Sequence, residues 1–238
     1  MTITLVGGGT KYEAIGASTG TAVPVLPAIL GGDLILAHYF CRVDSTNAFA
    51  TPTDFTLVKS RSTGAGTSGT HFLFRKIAVS DADADPSSAW TSGATNATTI
   101  ANVAVFRSSL GFHATVPVLD IPTAFSAGTS SDLGPIAGMT PSAGAGGVVI
   151  FGGMSNDPGA TALGAPWEAV YDSPSALGTD GEILCEWQPW TSGAVGDATW
   201  VVPGTVNWSG IMISLQEAAA AAGQATRTMH QARMRRAA

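Results

Sequence analysis

Short runs of β-branched and aromatic residues, broken by Gly, Pro, Ser, Thr and Asp, recur along the chain and predict strands. The predicted strands are Thr2 to Val6, Leu34 to Val43, Phe55 to Ser60, His71 to Val79, Thr98 to Arg107, Val148 to Phe151, Trp167 to Tyr171, Ile183 to Trp187 and Ile211 to Leu215. Strands of this number and length suit an antiparallel sandwich. Alternation is clearest at Ile211, Ile213 and Leu215, and around Phe72, Phe74 and Ile77, where the imperfect period predicts a bulge near Arg75. The segment from Gly111 to Gly147, rich in Pro, Gly, Ser and Thr, predicts a long ordered loop at an interface.

No window of the body carries a helical stripe, and turn residues recur too often for βαβ units. The exception is Gln216 to Arg236, where the alanine run Ala218 to Ala222 favours helix and Gly223 opposes it by about 1 kcal/mol. The expected organisation is thus a β-sandwich over residues 1–215 and an Ala/Arg-rich arm, short helical or extended, over 216–238.

Charge changes this picture more than hydrophobicity does. The 238 residues include 11 Lys and Arg against 17 Asp and Glu, and charged residues make up 12%, about half of what is usual. Ala, Gly, Thr and Ser supply close to half the chain, so small uncharged side chains cover much of its surface. Between Arg107 and Arg227 there is no Lys or Arg, while Arg227, Arg233, Arg235 and Arg236 lie in a tail with no acid. An acidic body would repel phosphate, and the tail has no interleaved aromatics, so nucleic acid is not the expected partner. The tail is expected to dock on a neighbouring protein instead.

No uncharged apolar run approaches the roughly 20 residues of a membrane-spanning helix, and no membrane partner is expected. The start Met1-Thr2-Ile3-Thr4-Leu5 has no basic segment before an apolar one, so Sec export is not expected. Cys41 and Cys185 are too few for a disulfide framework or a structural zinc site, and two buried thiols are expected.

The chemical motifs are weak in context. Gly64-Ala65-Gly66-Thr67-Ser68-Gly69 matches a dinucleotide fingerprint but precedes a predicted strand, not a helix. Gly16-Ala17-Ser18-Thr19-Gly20 matches a nucleophile elbow, yet Pro24 and Pro27 follow where a helix should begin. Asp81, Asp83 and Asp85 alternate as in a calcium loop, but Pro86 and Ser92 stand where glycine and glutamate belong. His38, His71, His113 and His230 have no partner at metal-pair spacing. No metal, cofactor or catalytic residue is therefore expected, and no carboxylate pair suggests a hydrolase. Of six tryptophans, Trp187 and Trp208 are expected in the core, while Trp190 and Trp200, beside Pro, Gly and Thr, are candidates for exposed stacking on sugar rings.

Several segments in order resemble the jelly-roll β-sandwich domain of structural proteins in tailed bacteriophages and gene-transfer-agent-like particles. They are Gly32 to Ala37, Pro52 to Val58, Phe74 to Ala78, Trp90-Thr91, Val103 to Arg107 and Trp208 to Leu215. The likeness spans roughly residues 1–215; the chain has Asp54-Phe55 where the family often has Gly-Trp, and the arginine tail lies outside the family pattern. The resemblance implies a non-enzymatic virion protein in contact with other capsid or tail proteins. Because one compact domain lacks the repeats of a long fibre shaft, a head decoration or spike component is expected, and, closed oligomers being the rule for such parts, a homo-oligomer. The alternative is a tail- or fibre-associated module that binds host polysaccharide.

Overall fold

The computed structural model describes residues 3–16, 19–42, 48–61, 69–92, 97–155, 159–177 and 180–219. All fourteen elements among them are strands, and no helix is long and apolar enough to cross a membrane. In chain order they are β1 (Ile3–Gly8), β2 (Tyr12–Ile15), β3 (Thr19–Ala22), β4 (Leu34–Cys41), β5 (Ala48–Phe49), β6 (Thr56–Arg61) and β7 (Thr70–Ile77). There follow β8 (Ser88–Thr91), β9 (Thr98–Ser108), β10 (Ser126–Ile136), β11 (Ala145–Ser155), β12 (Glu168–Ser175), β13 (Gly181–Pro189) and β14 (Ala198–Gln216).

Every pairing between strands is antiparallel. The first sheet has the order β1-β9-β4-β7-β6, with β2 also on β9; the second has the order β10-β14-β11-β13-β12; a small third sheet is β3-β8-β5. The first two sheets share one apolar core, to which β4 contributes Leu34, Leu36 and Phe40 and the second sheet contributes Phe151, Ile183, Trp187 and Ile213. A second core lies on the other face of the first sheet, where Ile35, Ala37 and Tyr39 meet Ala22, Phe49 and Trp90 of the small sheet. This explains why β4 is an almost unbroken apolar run: alternate residues serve two different cores, and all eight are buried. Each large side chain so buried contributes about 1.5–3 kcal/mol.

The ends of β4 and β9 are pinned by a bidentate ion pair. Arg107 donates from Nε and Nη2 to the two oxygens of buried Asp33, each at 2.7 Å. Asp33 also accepts from the Leu30 amide at 2.8 Å, closing the turn that opens β4.

Each of the nine predicted segments contains a strand, but the expected loop does not hold throughout. Within Gly111 to Gly147 the structure has β10, eleven residues long, and the beginning of β11. Ser, Ala, Gly and Thr dominate β10, so it carries little strand propensity; its pairing with β14 holds it in place. The bulge falls on β6, with Val58 the extra residue opposite Phe74 and Leu73, while β7 runs regularly past Arg75. Strand β14 continues to Gln216, and Glu217 still bridges to Phe112. The arm beyond Ala219 lies outside the described residues.

Candidate functional site

Two buried polar systems and one open groove are the chemically distinctive parts of the molecule. The first buried system lies between the two large sheets. His38 shares the face of β4 that carries Leu36 and Phe40, and the β4/β7 register opposes Phe40 to His71, which makes His71 its diagonal neighbour. The resulting chain runs from Tyr171 Oη to His38 Nδ1 (3.1 Å), from His38 Nε2 to His71 Nδ1 (2.9 Å), and from His71 Nε2 to Ser209 Oγ (2.6 Å). The two imidazoles stack with centroids 5.2 Å apart.

Burial pushes the His38 imidazole down to about 3 and His71 well below its ordinary range, with the neighbouring His38 and Arg61 charges adding to the effect at His71. Both are therefore neutral at pH 7, each with one N–H and one lone pair. With that inventory the chain satisfies itself in either direction; one added proton would leave a charge buried without a counter-charge among these four groups. The same environment raises the Tyr171 hydroxyl and the Cys185 thiol well above their usual values, through burial first. A serine bonded to histidine has the parts of an activated nucleophile, but Ser209 and His71 are fully buried and the three principal cavities are lined by other residues. What the arrangement does is tie β4, β7, β12 and β14 together.

The second system is on the outer face of the second sheet. Here Leu133, Ile136, Ala198, Trp200 and Val202 lie over Val148, Ile150, Leu184 and Met212, because β10 and β14 extend past the sheet and return over it. Successive outward positions of β13 are Glu182, Leu184, Glu186 and Gln188. Glu182 Oε2 accepts from the amides of Gly159 (2.6 Å) and Ala160 (3.3 Å), and Glu186 Oε1 from the Leu163 amide (2.9 Å) and the Trp200 indole (2.6 Å). Burial, with Asp172 beside it, pushes the Glu182 carboxyl up to about 8.

Gly152 and Gly153 on β11 make room for both systems. A Cβ on Gly152 would stand 2.8 Å from the Trp200 ring, and one on Gly153 2.5 Å from His71 Cε1. Neither ring could keep its place against any other residue.

The outer face is left open at its end, in a groove of about 330 Å³ lined by Trp167, Gln188, Trp190, Asp197 and loop residues between them. Trp190 sits here half-buried, its indole donating to Gly193 O at 2.9 Å. Trp200 does not: expected to be exposed, it is fully buried beneath the outer layer, where the Glu186 carboxylate takes its N–H and leaves no free ring face. Trp187 and Trp208 are buried, their indoles donating to Glu168 (3.0 Å) and Ser130 (2.9 Å). Arg227, Arg233, Arg235 and Arg236 lie outside the described residues, as does His230.

The remaining motifs serve local structure. Asp83 pairs with Lys76 at 3.1 Å and accepts from the Val79 amide, and Asp85 accepts from the Leu26 amide at 2.7 Å, so the alternating aspartates spread to separate partners. No group of three or more metal-ligating side chains occurs among the described residues. Gly20 lies within β3, opposite Trp90 of β8, and Gly69 leads directly into β7. Both cysteines are buried thiols outside any disulfide.

Sequence reasoning missed the histidine chain because it sought partners a few positions apart, whereas these are 33 residues apart on paired strands. Aligning Leu34–Cys41 against Thr70–Ile77 as a hairpin would have found it. It missed Trp167 as a neighbour of Trp190 because the segment 166–167 meets the segment 188–197 only in the fold. The geometry defines the class as an antiparallel β-sandwich with a covered outer face. No protein-family model, curated protein or solved structure matches the chain.

Proposed function

We propose that the protein is a non-enzymatic structural component of a tailed-phage virion, a jelly-roll domain displayed on the particle as a head decoration or spike. One observation supports the reading: the segments that bear the resemblance to such domains each run into or along a strand of an all-antiparallel fold. The invested polar chemistry fits a load-sharing role, since the buried histidine chain joins strands of both large sheets.

In this reading Arg227, Arg233, Arg235 and Arg236 pair with carboxylates on an adjacent subunit, where desolvated pairs exceed the ~0–1 kcal/mol of exposed ones. The carboxylates of the half that lacks Lys and Arg offer the acceptors, among them exposed Asp172 and Asp197. The test is the mass in solution of the full chain against one ending at Ala225, at low and high salt. A salt-sensitive homo-oligomer that becomes a monomer on truncation is expected. Equal masses, with unchanged incorporation of the truncated chain into particles, would overturn the role of the arm.

A second reading, recognition of host polysaccharide, is favoured by the groove in which Trp190 stands. Surface display and recognition are compatible in one domain.

A further inference from the structure

We infer that the groove at the open end of the outer face binds neutral pyranose units, with Trp167 and Trp190 as stacking platforms and Gln188 and Asp197 as hydroxyl partners. This deepens the second reading above and rests on it.

Four observations converge. The two half-buried indoles line one cavity; each packs in part against the outer apolar cluster, neither stacks on another aromatic ring, and the part of each left exposed faces the groove. Trp190 is already fixed, its indole held by Gly193 O and its backbone amide by Gly146 O at 3.2 Å, so little ordering entropy remains to be lost on binding.

Gln188 is 9% exposed, and its carboxamide makes no hydrogen bond to any described residue. It lies on the outward side of β13 and lines the groove, which places both a donor and an acceptor where a bound hydroxyl would satisfy them. Asp197 Oδ1 is held by the Gly138 amide at 2.8 Å, leaving Oδ2 to accept from a second hydroxyl. Flat apolar platforms beside convergent amide and carboxylate groups match a pyranose, which has an apolar C–H face and an equatorial rim of hydroxyls.

The sign of the ligand follows from charge. Asp197 lines the groove, and residues 108–226 contain no Lys or Arg to neutralise a uronate, sialate or phosphate. An anionic saccharide would meet a carboxylate without a counter-charge. A cavity of this volume is within the range of small-ligand sites and admits a short stretch of saccharide.

The test is a glycan array of neutral and acidic saccharides with the full chain, followed by titration of the best binders while tryptophan fluorescence is read. Expected is binding of a neutral saccharide, weakened at least tenfold in Trp190→Ala and in Trp167→Ala and unchanged in Leu57→Ser on distant β6. Should the alanine variants unfold, Gln188→Glu and Asp197→Ala, which leave the apolar platform in place, carry the test with at least threefold weakening each. Preference for an acidic saccharide that depends on the same tryptophans overturns the neutral class while leaving polysaccharide recognition standing. Binding that survives all four substitutions overturns the groove and leaves recognition elsewhere on the chain. No binding across the array overturns both the inference and the second reading.

Discussion

The two faces of the second sheet bury polar groups in opposite ways. On the inner face, Tyr171, His38, His71 and Ser209 satisfy one another across the sandwich, and all four are buried. On the outer face, Glu182 and Glu186 take their hydrogen bonds from covering segments that stop short of Gln188, beyond which the groove opens. A polar system closed by partners on both sides becomes structure. One supplied by a single overlying layer leaves its last member available.

This contrast can be broken first with acid. His38 titrates near 3 in the fold against about 6.5 when unfolded, so the unfolded chain binds more protons between those values. Stability is full above pH 6.5 and declines as pH falls towards 3, by about 4–5 kcal/mol for His38 alone. Urea unfolding across this range is the measurement, and a flat profile would mean that the inner chain is not held neutral.

Next in size is Trp200→Ala, expected to cost ~3–5 kcal/mol by emptying the covered part of the outer face, against less than ~1 kcal/mol for Trp190→Ala at its open end. Equal losses in thermal unfolding would erase the distinction between the two. The smallest effect concerns Glu182, whose folded value of about 8 lies above the ordinary carboxylate range. Its contribution is full below about 4.5 and is lost as pH rises towards 8, the reverse of the inner face. Glu182→Gln keeps an acceptor for the Gly159 and Ala160 amides, and should gain ~1–3 kcal/mol relative to the parent at pH 8 but not at pH 4.5.

The elements with strong side chains were legible before the fold was. β4, β7, β9 and β14 declare themselves through aromatic and β-branched residues, and all four are central or long strands. β10 was illegible because Ser126-Ala127-Gly128-Thr129 looks like a loop until β14 pairs with it. The site divides similarly. Trp190 could be singled out from its neighbours Pro189 and Thr191, but the same reasoning applied to Trp200 failed, since nothing local reveals that the chain folds back over Glu186. Gln188 carried no signal at all, because its place at the lining of a groove is a property of three dimensions.

Gly152 and Gly153 place the His71 imidazole and the Trp200 indole on opposite sides of a stretch of β11 that has no side chain on either surface. At that point the sheet is a partition one peptide thick. Two cores that would elsewhere be insulated by a layer of side chains are therefore mechanically in series, and a shift of either ring is passed to the other through the backbone alone. Substitutions at the two rings should accordingly be non-additive, although the residues belong to different cores and share no hydrogen bond.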